Sequence, residues 1–272
     1  MTHYANKVCV VTGAASGIGK AVSLALGRQG AQVIAADVDL AGAEATRNAV
    51  QQAGGQAEAH SVDIAVAEQV NTLFEMAYQA YGRIDFAFNI AGVGLLGEVR
   101  DLSLEHWQRL VNVNIMGTVH CVHAAYQLML RQKHGHIVNM ASLAGLVGYP
   151  TMTPYAMTKS AIVGMSQSLR HEAAAAGIKV SVVCPGFIQS AIYTASPAVN
   201  VDGAAVWKRL PFKLMNADHA AEQILRGVER NRGMMVFPAY GRLLWGLYRL
   251  SPALMRLTAS KTLHDFRQLR SR

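Results

Sequence analysis

Short apolar runs alternate with longer amphipathic stretches along most of the chain. The run KVCVVT at residues 7–12 is rich in β-branched residues and is typical of a buried strand. Stretches of helical length, such as residues 40–53 and 66–81, separate successive runs. Because strand and helix alternate, the pattern predicts an α/β fold with a parallel, doubly wound sheet. The seven predicted strands lie at residues 7–12, 31–39, 56–64, 83–92, 136–141, 177–186 and 234–238.

A glycine-rich loop follows the first predicted strand. The sequence TGAASGIG places Gly13, Gly17 and Gly19 between that strand and a helical run. Glycines let the backbone approach a pyrophosphate, and a helix N-terminus offers it free N–H groups and a positive dipole. An ordinary glycine turn is the alternative interpretation. The strand, loop and helix context favours a dinucleotide site of the Rossmann type.

An acidic residue ends the second predicted strand. Asp37 stands eighteen residues after Gly19, where a carboxylate can accept hydrogen bonds from the adenosine ribose. It would repel a 2′-phosphate, no arginine follows it, and the loop carries Ser16 rather than a basic residue. We therefore expect NAD, with NADP as the less favoured cofactor. Asp63 and Ile64 end the third strand and could meet the adenine. The alternative for Asp63 is a cap on the next helix, and the two roles are compatible.

A tyrosine and a lysine stand four residues apart in YAMTK. On a helix that begins near Pro154, Tyr155 and Lys159 share one face. A tyrosine titrates near pH ~10, and a nearby ammonium favours the phenolate and lowers its pKa. Ser142 follows the apolar run HIVNMA and so lies at a strand end, where open α/β sheets place their chemistry. A solvated helix face is the alternative for the Tyr–Lys pair alone.

Together these motifs resemble those of the short-chain dehydrogenase/reductase family, over roughly residues 5–238. TGAASGIG is similar to the family's cofactor loop, and residues 89–92, NIAG, match its Asn-Asn-Ala-Gly motif apart from Ile90. Pro185-Gly186 followed by Ser190 resembles its Pro-Gly motif, with serine where threonine is commoner. The family's catalytic tetrad is matched by Asn114, Ser142, Tyr155 and Lys159.

The resemblance implies a Rossmann-type fold and hydride transfer between NAD and an alcohol or carbonyl compound. Tyr155 would carry the alcohol proton, and Lys159 would lower its pKa and hold the nicotinamide ribose. Ser142 would hydrogen-bond the substrate oxygen, and Asn114 would order a water next to Lys159. The implied cofactor contacts are Gly13, Ser16, Gly17, Ile18, Gly19, Asp37, Asp63, Ile64, Asn89, Ala91, Gly92, Tyr155, Lys159, Pro185, Gly186, Ile188 and Ser190.

The predicted long helix at residues 103–131 carries two further candidates. Asn112 competes with Asn114 for the tetrad, and side chains two residues apart on a helix point in different directions. The family motif selects Asn114. His120, Cys121 and His123 superficially resemble metal ligands, but they lack a fourth ligand, so we expect no metal. The family's dimers and tetramers imply that this helix and residues 155–176 pack against a partner subunit.

The positive charge of the chain is concentrated at its C-terminal end. The formal net charge is +8, and residues 241–272 hold seven Lys or Arg and one acid. A nucleic-acid binder would spread basic residues over a folded face, so no nucleic-acid partner is expected. We predict a catalytic domain at residues 1–240, with a lid at about 187–217. The basic amphipathic extension at 241–272 should form two short helices that divide at Ser251–Pro252.

Two roles are open for this extension: packing on the protein, or contact with an anionic membrane through an apolar face with basic edges. The chain enters a strand soon after MTHYANK and its three cysteines lie in apolar contexts, so we expect a cytoplasmic protein without a signal peptide. Membrane association is the alternative location.

Apolar pocket stretches favour a lipophilic secondary alcohol or ketone as substrate. The rival functions are an NAD-binding sensor without turnover and a membrane-surface protein.

Overall fold

The computed structural model describes residues 2–209 and 213–270, apart from the Leu257 side chain. Seven strands form one sheet in the order β3-β2-β1-β4-β5-β6-β7, and every neighbouring pair is parallel. This confirms the predicted Rossmann-type, doubly wound architecture. The strands are β1 (Val8–Thr12), β2 (Gln32–Asp37), β3 (Gln56–Ser61), β4 (Phe86–Asn89), β5 (Gly135–Met140), β6 (Ile178–Pro185) and β7 (Met234–Phe237).

Helices cover both faces of the sheet, which is why β1 and β4 consist entirely of buried residues. The helices of the described chain are α1 (Gly17–Arg28), α2 (Leu40–Gln52), α3 (Ala67–Tyr81), α4 (Leu104–Leu110), α5 (Gly117–Gln132), α6 (Thr153–Ala174), α7 (Ile192–Ala195), α8 (Gly203–Lys208), α9 (Ala217–Glu229), α10 (Ala239–Leu250) and α11 (Arg256–Gln268). One apolar layer packs α1 and α9 on the sheet, and the other packs α3 and α5.

The order of the strands places a crevice beside the central strand. The chain builds β1, β2 and β3 towards one edge, and then returns to place β4 on the other side of β1. Loops that leave β1 and β4 therefore diverge at their carboxyl ends. In open α/β sheets this point of reversal is where ligands bind.

The predicted helix at 103–131 is continuous but not uniform. Between α4 and α5 the chain makes a π-helical segment, Val111–Met116. Such segments are rare and often accompany functional sites. The predicted lid also contains structure, since α7 and α8 lie within 187–217. Residues 210–212 of that range lie outside the described residues.

The C-terminal extension forms two helices, as predicted, with a 3₁₀ turn at Pro252–Met255 between them. It packs back on the lid region: Phe266 is buried against Leu96 and Val201. Arg267 forms a two-pronged ion pair with Glu98, at 2.8 and 3.1 Å. Arg270 pairs with Asp101. Among the described residues, no helix is long and apolar enough to cross a membrane.

Candidate active site

A cleft of about 450 Å³ opens at the carboxyl ends of β1, β4, β5 and β6. It extends from the glycine-rich loop at one end to the Tyr–Lys pair at the other. All but one of the predicted cofactor residues line it. They are Gly13, Ser16, Gly17, Ile18, Gly19, Asp37, Asp63, Ile64, Ala91, Gly92, Tyr155, Lys159, Pro185, Gly186, Ile188 and Ser190.

The exception is Asn89, which lies behind the cleft at the end of β4. Its side chain is buried and donates to the Asn139 Oδ1 at 2.8 Å. The Asn139 amide in turn donates to Ser166 on α6 at 3.0 Å. The Asn89 side chain therefore links two strands to a helix, and its contact with the cofactor stays a prediction. A motif match gives the position of a residue but not the face of the strand on which its side chain lies.

The glycine-rich loop is shaped for close backbone approach. Gly13 has φ +73°, and a Cβ there would lie 2.7 Å from the Ala91 nitrogen. A Cβ on Gly19 would lie 1.9 Å from the Gly13 carbonyl oxygen. Helix α1 begins at Gly17, and the Ser16 side chain makes no capping hydrogen bond with it. The first N–H groups of α1 are thus available to an anion such as a pyrophosphate.

Asp37 lies beside this loop, at the rim of the cleft. Its Oδ2 accepts from the Ala15 nitrogen at 3.0 Å, and its Oδ1 accepts from the Asp39 nitrogen at 3.1 Å. These bonds hold the carboxylate in place while its remaining lone pairs stay available. A fixed carboxylate at this position fits the hydroxyls of an adenosine ribose.

Asp63 does not cap α3, so that alternative is wrong. The helix begins at Ala67 after Val66, whereas the Asp63 Oδ1 accepts from the Ala65 nitrogen at 2.9 Å in the preceding turn. Ile64 is buried next to Gly117, and its carbonyl oxygen lies 2.9 Å from the His120 Nδ1. Both residues border the cleft, on the side towards Asp37.

The Tyr–Lys pair lies on the first turns of α6. This helix starts at Thr153 with Pro154 in its first turn, a position that proline favours. The Lys159 Nζ lies 5.6 Å from the centroid of the Tyr155 ring and donates to the Met140 carbonyl oxygen at 2.9 Å. The spacing therefore brings both groups to the cleft, as predicted. Ser142, two residues beyond β5, lines the same end.

Asn114 reaches this cluster from the π-helical segment. Its Oδ1 accepts from the Val93 nitrogen at 2.8 Å, and its Nδ2 donates to the Val93 oxygen at 2.9 Å and to Thr158 Oγ1 at 3.1 Å. Asn112 is exposed and accepts from Gln108. The structure thus places Asn114, and not Asn112, next to the pair. Thr158 was missed by the sequence reasoning because a hydroxyl beside two motif residues carries no pattern of its own.

Burial sets the protonation of the pair. Burial raises the pKa of Tyr155 to about 12, against a smaller opposing effect of a hydrogen bond with Ser142. Burial also lowers the pKa of Lys159 to about 8. The sequence predicted a lowered pKa for Tyr155, so within the protein alone the predicted direction is wrong. The reason is that transfer of the phenolate out of water costs more free energy than attraction to the Lys159 ammonium recovers at this distance.

A second cavity, of about 80 Å³, adjoins the Tyr155 end of the cleft. Its lining is mainly apolar and aromatic, and its roof combines the lid with the C-terminal extension. In the roof, Tyr193 packs edge-on against Trp207 with ring centroids 4.8 Å apart. Leu244 of α10 was missed by the sequence reasoning. The lining comprises Gly94, Leu95, Ser142, Leu143, Ala144, Tyr149, Met152, Tyr155, Gly186, Phe187, Ile192, Tyr193, Ser196, Trp207 and Leu244.

Comparison with known proteins identifies the family. The model of the short chain dehydrogenase family matches residues 7–199, well over half of the chain. The chain belongs to this family. As a short-chain dehydrogenase it is an oxidoreductase that acts on CH–OH groups, with a dinucleotide-binding Rossmann-type fold.

Relatives of this short-chain dehydrogenase are numerous. It is 34% identical over 184 residues to a 3-oxoacyl-(acyl-carrier-protein) reductase of Thermotoga maritima, covering 68% of this chain and 75% of that protein. It is 34% identical over 227 residues to an uncharacterized oxidoreductase of Staphylococcus aureus, and the match covers 80% of this chain and 95% of that protein. A short-chain dehydrogenase/reductase of Burkholderia phymatum in complex with NAD is similar in structure, with a TM-score of 0.86 and 27% sequence identity. The superposition covers 94% of this chain and 97% of that protein.

Proposed function

We propose that this short-chain dehydrogenase transfers a hydride between NAD and an apolar secondary alcohol or its ketone. The observation that carries this proposal is the junction at Tyr155. There the cleft with the glycine-rich loop meets the apolar cavity, Ser142 and Lys159 line the same end of the cleft, and Asn114 lies behind them, bonded to Thr158. A cofactor in the cleft and a carbinol carbon in the cavity would meet at this junction.

Each group of the tetrad has a chemical role in this proposal. NAD bound in the cleft supplies the hydride acceptor or donor. In alcohol oxidation the Tyr155 oxygen takes the hydroxyl proton, and in ketone reduction it returns that proton. Ser142 hydrogen-bonds the substrate oxygen, where negative charge develops. Lys159 supplies a cation beside the tyrosine and holds the nicotinamide ribose.

Asn114 has a positioning role. Both polar atoms of its amide are hydrogen-bonded, to the Val93 backbone and to Thr158. A Cβ on Gly92 would lie 3.1 Å from the Asn114 Oδ1 and 3.3 Å from the Lys159 Nζ. The absence of a side chain on Gly92 therefore leaves room for a water between amide and ammonium, through which Lys159 exchanges protons with solvent.

Cofactor choice follows from Asp37. Its fixed carboxylate accepts hydrogen bonds from ribose hydroxyls but repels a 2′-phosphate, which favours NAD over NADP. The NAD complex of the Burkholderia phymatum relative supports this choice.

We expect Asp37→Ala to narrow the preference for NAD over NADP, mainly through a lower KM for NADP. Removal of one like-charge contact is worth a few kcal/mol, so the ratio of kcat/KM values should shift by about 10²-fold. Steady-state kinetics with both cofactors measure this shift. Asp39→Ala is the matched control, since Asp39 is an exposed acid two residues away that caps α2. A wild-type enzyme that prefers NADP would refute the charge argument.

The substrate proposal rests on the lining of the cavity. Among the described lining residues, the side-chain hydroxyls are those of Ser142, Ser196, Tyr149, Tyr155 and Tyr193, and there is no charged side chain. A carboxylate or phosphate would be buried there without a counter-ion, which is costly. Substrates as large as a steroid need the roof to move because the cavity is only about 80 Å³.

We expect catalytic efficiency to rise along a series of secondary alcohols as apolar carbons are added, and to fall once the cavity is full. Each buried methylene contributes ~0.8 kcal/mol, or about fourfold in kcat/KM. NADH absorbance with purified enzyme measures this. Hydroxy acids and free sugars serve as the negative series, and a preference for them would refute the proposed substrate class. A protein that binds NAD as a sensor would give no NADH with any alcohol.

We also propose a homodimer or homotetramer in the cytoplasm, as the sequence analysis predicts. Exposed apolar side chains on α4, on the π-helical segment and on α6 support this assembly. They are Leu104, Met116 and Met157. We further propose the division into a catalytic unit at residues 1–240, with its lid at 187–217, and an extension at 241–272.

A further inference from the structure

Helix α10 exposes a row of leucines to solvent. Leu243, Leu247 and Leu250 are 64%, 37% and 80% exposed, and Leu254 in the following turn is 52% exposed. Spacings of four and three residues put the first three on one face of the helix. A helix on a protein surface normally carries polar residues on its outer face, so this row of exposed leucines indicates a binding surface.

Basic residues border the row. Arg242 and Arg249 are seven residues apart and so lie one above the other beside the leucines. The Arg249 guanidinium stacks over the Trp245 ring at 5.4 Å, while Arg256 opens α11. Residues 238–264 contain four Arg or Lys and no Asp or Glu. Within the described ranges, none of these three arginines forms a salt bridge.

The opposite side of α10 is anchored in the enzyme. Gly241 is buried, Leu244 lines the substrate cavity, and the Tyr240 hydroxyl accepts from the Phe187 nitrogen at 2.7 Å. The helix therefore cannot rotate its leucines inward without opening the cavity. The outward direction of the row is fixed by the packing beneath it.

We propose that this face docks on an anionic lipid surface. The face, here named the α10 patch, consists of Leu243, Leu247 and Leu250 with Arg242 and Arg249, and the exposed Leu254 and Arg256 follow it in the chain. Leucines would enter the acyl boundary while the arginines meet lipid phosphates, as in interfacial helices. With 12 residues, α10 is too short to span a bilayer, which takes ~20.

Charge decides between a membrane and a second copy of the chain. Across a two-fold axis the patch would meet itself, and its arginines would approach arginines with no acid between them. An anionic lipid surface supplies the opposite sign over the whole patch. The docking does not depend on the proposed function. Where both hold, the lipid lies on one side of α10 and the apolar cavity on the other, so a lipophilic substrate has a short path.

Vesicle co-sedimentation of the full chain tests the proposal. We expect binding to phosphatidylcholine vesicles that contain phosphatidylglycerol, weak binding to phosphatidylcholine alone, and release by salt. Since a basic residue near an anionic surface contributes about fivefold, Arg242→Gln with Arg249→Gln should weaken binding about 30-fold. Arg28→Gln with Arg230→Gln is the matched control, because both arginines are exposed elsewhere, Arg28 at the end of α1 and Arg230 directly after α9. Equal binding to both kinds of vesicle would overturn the proposal.

A second pair of variants tests the leucines. Leu243→Gln with Leu247→Gln should abolish sedimentation, whereas Met76→Gln with Leu130→Gln, exposed on α3 and α5, should not. Loss of the oligomer in the leucine variant, with no vesicle binding by the wild type, would assign the patch to a second copy.

Hydrogen exchange of the unmodified protein, measured with and without vesicles, tests the same proposal without a variant. Anionic vesicles should slow exchange in residues 239–256, and slowing only elsewhere would refute the proposal.

Discussion

Tyr155→Phe is expected to abolish alcohol oxidation while the affinity for NAD stays nearly unchanged. The substitution keeps the buried ring beside Lys159 and removes only the oxygen that carries the proton. General acid–base catalysis is worth ~10²–10⁴-fold, so kcat should fall by about 10³-fold or more. Turnover with a saturating alcohol measures kcat, and calorimetric or fluorescence titration measures the Kd for NAD.

Tyr78→Phe is the matched control, since Tyr78 lies on α3 and contacts Arg131 outside the cleft. The pH profile gives a second readout. Because burial raises the pKa of Tyr155 to about 12, its phenolate fraction, and with it the oxidation rate, should rise with pH across the alkaline range. The Phe variant should show no such rise. Near-normal turnover in Tyr155→Phe would refute the mechanism.

Lys159→Met is expected to lose activity and to gain stability. Lys159 is almost fully buried, and burial lowers its pKa from 10.5 to about 8. That difference corresponds to a folding cost of about 3 kcal/mol when the side chain is charged. Methionine keeps the length of the side chain and removes the charge, although the hydrogen bond to Met140 is lost. The gain in unfolding free energy should therefore be about 1–3 kcal/mol.

The pH dependence of this gain has a definite sign. Because the folded pKa lies below the unfolded value, the cost is fully present below pH 8 and disappears as pH rises from about 8 to 10.5. Urea unfolding of both proteins at neutral pH and near pH 10 should show the difference shrink. Lys261→Met, at an exposed lysine of α11, is the control. A less stable Lys159→Met at neutral pH would contradict the argument.

The fold and the contiguous motifs could be predicted from the sequence because their signals are local. Strands covered on both faces are apolar throughout, and the glycine loop and the Tyr–Lys spacing each lie within one strand–loop–helix unit or one helical turn. Pro154 marked the start of α6 for the same reason. The order of these motifs along the chain was enough to predict one parallel sheet with the motif residues at its carboxyl edge.

What could not be predicted depends on contacts between distant segments. No pattern near Leu244 shows that it lines the cavity, and no pattern near Phe266 shows that it packs against Leu96 and Val201. The pKa of Tyr155 depends on burial, which spacing does not give. The π-helical turn that places Asn114 is a local distortion stabilised by its hydrogen bonds to Val93 and Thr158. Asn89 shows the same limit for a motif residue.

One part of the roof of the apolar cavity, Leu244, comes from the C-terminal extension, and this affects the order in which the sites form during translation. A nascent chain that has emerged from the ribosome as far as β7 already contains the residues of the tetrad and those that line the cofactor cleft. It still lacks Leu244, and the ion pairs of Glu98 and Asp101 await Arg267 and Arg270. On the ribosome the dinucleotide site can therefore assemble first. The lining of the apolar cavity is complete only after Leu244 has also emerged.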